Sequence, residues 1–116
     1  MRHQVAKVDE FLPGDVRMVS GSEQPVAVVC TPNGEYRAVR SVCPHQGAEL
    51  QLGLLTQLLR GDTVGEYIVD EDVTILRCPW HSFDFDVVSG RCIAAEKIRV
   101  RTYDVDVVDG YVVVEV

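Results

Sequence analysis

Apolar and polar residues alternate with a period of two along most of this chain, the spacing of strands with one face buried. Gln4-Val5-Ala6-Lys7-Val8 alternates in this way, and Leu12-Pro13-Gly14-Asp15 then signals a turn. Strands are expected next over residues 15–19 and 25–30. Pro32-Asn33-Gly34 makes a tight reversal, its Asn-Gly pair suited to the positive-φ positions of a hairpin, and residues 35–40 lead back. The last third repeats the theme. Residues 84–88 run into a Ser89-Gly90 turn, residues 97–101 and 103–107 alternate, and Asp109-Gly110 is a second hairpin signal ahead of residues 111–116. The one helical candidate is the stretch 54–60, short and uncapped. Beyond it, strands at 66–69 and 73–77 flank Asp70-Glu71-Asp72, which reads as a hairpin turn. Many short strands with regular turns predict an all-β, antiparallel sandwich or barrel.

Composition narrows this. A chain of 116 residues that is 47% hydrophobic and 25% charged suits one folded core, so residues 1–116 are expected to form a single domain. The net charge of −7, with no basic block, argues against nucleic acid or an anionic membrane as a partner, because phosphate binding needs clustered Lys and Arg. Met1-Arg2-His3-Gln4 is not followed by the apolar core of a signal peptide, and no apolar run approaches the ~18 residues that span a bilayer. The expectation is a cytoplasmic protein with no membrane anchor.

The chemistry sits in two short pieces, Cys43-Pro44-His45 and Cys78-Pro79-Trp80-His81. Each puts a thiol and an imidazole on one turn stiffened by proline. In linear form this is C-x-H, thirty-two residues, then C-x-x-H. Two thiolates and two imidazoles suit either a tetrahedral zinc or a 2Fe–2S cluster with two cysteines on one iron and two histidines on the other. Spacing alone leaves both open, although a lone C-x-H is an unusual opening for structural zinc. Cys30 and Cys92 fall outside these pieces and are expected to be buried, inert thiols.

The neighbouring residues say more. Cys43-Pro44-His45-Gln46-Gly47-Ala48-Glu49-Leu50 and Cys78-Pro79-Trp80-His81-Ser82-Phe83-Asp84-Phe85-Asp86-Val87-Val88-Ser89-Gly90 resemble the two cluster-binding boxes of Rieske iron–sulfur proteins. The likeness includes both Cys-Pro pairs, the glycine two residues after the first histidine and the Phe-Asp-x-x-Ser-Gly tail. It runs from about residue 39 to the C-terminus, while the first forty residues are only compatible with it. It implies a Rieske-type antiparallel β-sandwich with two cluster-binding loops at one end, the cluster-binding part lying at about 41–90.

The resemblance also implies roles. Cys43 and Cys78 would bind one iron of a 2Fe–2S cluster as thiolates, and His45 and His81 the outer iron as neutral imidazoles, raising the potential above that of all-cysteine ferredoxins. Trp80 and Phe83 would shield the cluster from water. High-potential respiratory members carry a cysteine in each box, where this chain has Ala48 and Trp80. They also carry a serine and a tyrosine with hydroxyls toward sulfur, where it has Phe83 and Phe85, and the usual glycine after the second histidine is Ser82. These departures resemble the soluble ferredoxins and oxygenase-associated members. The implied function is one-electron carriage, from a flavin reductase to a terminal oxygenase or similar redox partner. With two of three histidines claimed, the chain cannot also build a mononuclear iron oxygenase site alone.

Overall fold

A computed structural model describes residues 1–44, 47–63, 66–79, 83–95 and 97–116. Among these, nine strands form two antiparallel sheets: β1 (Arg2–Lys7), β2 (Val16–Met18), β3 (Val26–Cys30), β4 (Tyr36–Arg40), β5 (Leu54–Thr63), β6 (Glu66–Arg77), β7 (Asp84–Asp86), β8 (Thr102–Val108) and β9 (Tyr111–Glu115). The larger sheet has the order β1-β9-β8-β4-β3-β2, and the smaller β5-β6-β7. Short 3-10 turns occupy Val8–Glu10 and Leu50–Leu52. This is the expected all-β sandwich, and no α-helix occurs among the described residues.

Why the larger sheet closes over a core follows from β8. Its first residues, Thr102 and Tyr103, pair with β4, whereas Asp104 to Val108 pair with β9. The sheet therefore turns a corner there, and Val112 and Val114 of β9 come to pack on Val26 and Val28 of β3. Phe11 fills the same interior, edge-on to Tyr36 at 5.3 Å between ring centroids. Every residue of β3 is buried, because its two faces serve two cores. Val26, Val28 and Cys30 belong to this first core, while Val29, with Val39 of β4, faces a second that the smaller sheet covers. That second core holds Leu50, Leu76, Phe85, Val87 and three cysteines, Cys43, Cys78 and Cys92. Each large apolar side chain buried there contributes about 1.5–3 kcal/mol.

The turns divide by chemistry. Asp109 and Gly110 both take positive φ, 52° and 80°, as a two-residue β8–β9 hairpin requires. At the other reversal only Gly34 does so, with its N–H donating to the Thr31 carbonyl. That turn is thus longer than the Asn-Gly signal suggested.

Three further local readings are corrected. Residues 54–60 are strand β5, not helix, because the partner β6 supplies a ladder from Leu54↔Arg77 to Thr63↔Glu66 that outweighs weak local helix preference. Asp70-Glu71-Asp72 is not a hairpin turn. It lies within β6, where the register jumps from Gln57↔Thr74 to Leu58↔Asp70, so the extra residues form an irregularity in a continuous strand. Residues 97–101 form no strand, only the isolated Arg91↔Arg99 bridge.

Candidate metal centre

The two boxes start from bases of matching design, and their cysteines lie in one apolar cluster. The first begins at Cys43, whose N–H donates to the Ala48 carbonyl at 2.8 Å, and its base is closed by the antiparallel bridge Val42↔Glu49. The second begins at Cys78, whose N–H donates to the Phe83 carbonyl at 2.8 Å, and its base is closed by the pair Arg77↔Asp84. In both, a cysteine opens a six-residue loop sealed by its own N–H. Gly47, at φ 74°, completes the first by donating to the Cys43 carbonyl at 2.8 Å.

The sheets bring the loops together. β4 delivers the first, the Leu50–Leu52 turn leads out of it into β5, and the register Leu54↔Arg77 sets that exit beside the residue preceding Cys78. Ser41 anchors the first stem from within. Fully buried, it donates its N–H to the Pro25 carbonyl and accepts the Leu50 N–H at its own carbonyl, while its hydroxyl donates to Gln51 Oε1 and accepts the Gln51 backbone N–H. Arg77 clamps the second stem with two hydrogen bonds to the Asp84 carboxylate, at 2.7 and 3.2 Å, and these raise the guanidinium pKa. Ser41 and the Arg77–Asp84 pair were not among the residues singled out from sequence. The only signal for the pair is opposite charge on the residues flanking the box.

Of the four expected ligands, Cys43 and Cys78 are each 1% exposed in one apolar cluster. His45 and His81 lie outside the described residues, as do Trp80 and Ser82. Phe83 and Phe85 both pack into or against that cluster, and neither carries a hydroxyl. None of the four cysteines forms a disulfide. Cys30 sits in the other core, where burial and then the Asp15 carboxylate push its thiol pKa up and keep it unreactive.

The donor set fits an iron–sulfur centre. Thiolates buried among apolar side chains carry a high desolvation cost unless a cation neutralises them, and both cysteines lie in one apolar cluster with matching N–H bonds across their loops. After the second loop, Asp86 accepts the Val88 and Ser89 N–H groups, and Gly90, at φ 77°, packs so closely on the Val100 carbonyl that a Cβ would overlap it. Gly90→Ala is expected to cost about 2 kcal/mol or more, from left-handed strain and that overlap together, read as a lowered urea midpoint.

Comparison with known proteins agrees with this geometry. Over 84 residues the chain is 29% identical to a cholesterol 7-desaturase of Hemicentrotus pulcherrimus, the match spanning 72% of this chain and 15% of that enzyme. It is 26% identical to the ferredoxin of carbazole 1,9a-dioxygenase from Nocardioides aromaticivorans (TM-score 0.70, covering 98% and 96% of the two chains). It also superposes on a Mycobacterium tuberculosis protein described as an NADH-dependent nitrite reductase small subunit (TM-score 0.77, 22% identity, 98% and 93% covered). The Rieske 2Fe-2S domain profile matches residues 1–104, so the family likeness takes in the first forty residues, which the boxes alone did not. The chain belongs to the Rieske 2Fe-2S domain family, whose cofactor is a 2Fe–2S cluster.

Proposed function

We propose that this chain is a one-electron carrier, with residues 1–116 as one Rieske domain and Cys43, His45, Cys78 and His81 as the cluster ligands. The observation that carries the reading is the pair of buried thiols, each opening a six-residue loop closed by its own N–H. When bound, the cluster supplies a single reversible electron. The protein's part is to hold two thiolates away from water and to set the hydrogen bonds around them. Pairing of β1 with β9, which ties residues 2–7 to residues 111–115, supports the single domain. The reaction served is electron delivery from a flavin reductase to a terminal oxygenase or a similar enzyme, in keeping with the resemblance to a dioxygenase ferredoxin.

The potential tests this. Rieske centres span about −150 to +300 mV, tuned largely by hydrogen bonds to sulfur, charge and exposure. Phe83 and Phe85 offer no O–H donor, and the net charge of −7 weakly opposes reduction. A midpoint near the low end, about −150 mV, is expected from protein-film voltammetry at pH 7. A midpoint well above zero would mean that other donors replace the missing hydroxyls, and would point away from the ferredoxin type.

The β5–β6 hairpin favours one other reading, a Rieske subunit held within a larger enzyme. Strands of ten and twelve residues extend well beyond what delivering two loops requires. Size-exclusion chromatography of the protein from its native host separates the two, a free carrier eluting at its monomer mass and a subunit within a complex.

A further inference from the structure

The chain is strongly acidic, yet its cations are unevenly placed. Arg40, at the end of β4, lies beside Arg101 through an N–H···O bond of 2.8 Å between their backbones, and Arg99 stands two residues away. These three arginines line a groove of about 510 Å³ whose other wall is the first cluster loop, through Val42, Cys43, Pro44 and Gly47. Arg99 also lines an adjoining hollow of about 440 Å³ with Arg91, Cys92 and the exposed Ile93. The two hollows share Arg99 and together give a basic, partly apolar surface, the arginine channel, whose first part borders the loop.

None of the four arginines forms an ion pair among the described residues, although 18 carboxylates are present in the chain. Arg91 and Arg99 face each other across an antiparallel bridge, an arrangement that costs stability through like-charge repulsion. Arg101 is held in place against the Tyr103 ring at 5.2 Å. Among the described residues Asp86 is the one carboxylate lining the channel, and its Oδ1 already accepts backbone N–H groups. Arginines with no carboxylate partner among the described residues, two of them facing each other across a bridge, are suited to a counter-charge that arrives from outside.

We propose that this channel is the docking surface for an acidic redox partner, a protein presenting clustered carboxylates around its own electron-accepting or electron-donating centre. The proposal rests on the carrier reading above. Guanidinium forks pair with carboxylates in two-pronged fashion, and oriented charge beside a redox centre raises encounter rates while fixing the geometry of approach. The acidic remainder of the surface then repels the same partner from unproductive faces.

The test uses small charged oxidants in place of the unidentified partner. The loaded protein is reduced with dithionite, freed of excess reductant and mixed in a stopped-flow instrument with ferricyanide or with tris(phenanthroline)cobalt(III). One electron leaves the protein and converts ferricyanide to ferrocyanide, or cobalt(III) to cobalt(II). The expected result is a ferricyanide rate constant that falls as salt rises, the sign of local attraction and the reverse of what a net charge of −7 dictates. Arg40→Glu with Arg99→Glu should slow ferricyanide about tenfold at low salt and reverse the slope, leaving the visible spectrum of the cluster unchanged. The milder pair Arg40→Gln and Arg99→Gln, which removes the positive charge and adds no negative one, should flatten the slope if the charge-reversed protein fails to load. A wild-type slope that follows the net charge overturns the proposal, as does saturable competition by inorganic phosphate at constant ionic strength, which would mark a small-anion site. Loaded protein that dithionite cannot reduce reversibly overturns the carrier reading, and the docking proposal with it. Reversible reduction with the wrong slope removes the docking proposal alone.

Discussion

Cys43→Ala and Cys78→Ala are each expected to yield colourless protein with no iron retained, whereas Cys30→Ala and Cys92→Ala retain the full chromophore. The contrast is demanding because burial does not separate the two pairs. All four thiols are 1–2% exposed, and Cys92 lies in the same apolar cluster as Cys43 and Cys78. What separates them is backbone position. Cys43 and Cys78 open the two sealed loops, while Cys92 sits on an isolated bridge to Phe85 with its N–H bonded to the Ile98 carbonyl. Removing its sulfur leaves only a small cavity, with a cost of about 1–2 kcal/mol. Iron analysis and visible absorption of the four variants, purified anaerobically, check this. Loss of the chromophore in folded Cys92→Ala protein would reassign the ligands.

The second large effect falls on a residue outside both boxes. A Cβ at Gly53 would overlap the Arg77 carbonyl oxygen and crowd the Leu50 carbonyl. Both neighbours are backbone, so no rotamer change relieves the overlap. Gly53 stands where the exit from the first loop crosses the strand that carries the second, and Arg77 precedes Cys78 while pairing with both Leu54 and Asp84. Gly53→Ala is therefore expected to destabilise the fold by about 3 kcal/mol or more and to lower iron content, by forcing the two stems apart. Gly47→Ala makes the comparison informative. Gly47 is at positive φ inside a cluster loop, but a Cβ there meets nothing within 4 Å, so its cost is limited to about 1–2 kcal/mol of backbone strain. Urea denaturation that ranks Gly47→Ala as the more damaging change would contradict this account of how the loops are held.

Legibility from sequence follows the range of the interactions involved. The boxes were readable because their chemistry is local: cysteine, proline and histidine within four residues define each loop without reference to the rest of the chain. Period-two alternation and Asp109-Gly110 likewise gave β8, β9 and their hairpin. Residues 54–60 misled because Leu-Leu-Thr-Gln-Leu-Leu-Arg has no clear period, and only pairing with β6 decides its state. Asp70-Glu71-Asp72 misled because an acidic triplet has the composition of a turn, while a bulge in a long strand accommodates it equally well. Gly53 and Ser41 carry no local signature at all. Their importance arises from a crossing of backbones distant in sequence. The arginine channel is similar, since Arg40 joins residues 91–101 only through the β4–β8 pairing.

On this reading the two loops together hold a 2Fe–2S cluster between two thiolates and two imidazoles. The direct measurement is the iron and acid-labile sulfide content of anaerobically purified protein, with its electron-paramagnetic-resonance spectrum before and after dithionite. Two irons and two labile sulfides per chain are expected, with no signal when oxidised and, on one-electron reduction, a rhombic signal whose average g value lies below that of all-cysteine clusters. One stoichiometric zinc with no labile sulfide, after iron-replete expression, would contradict it.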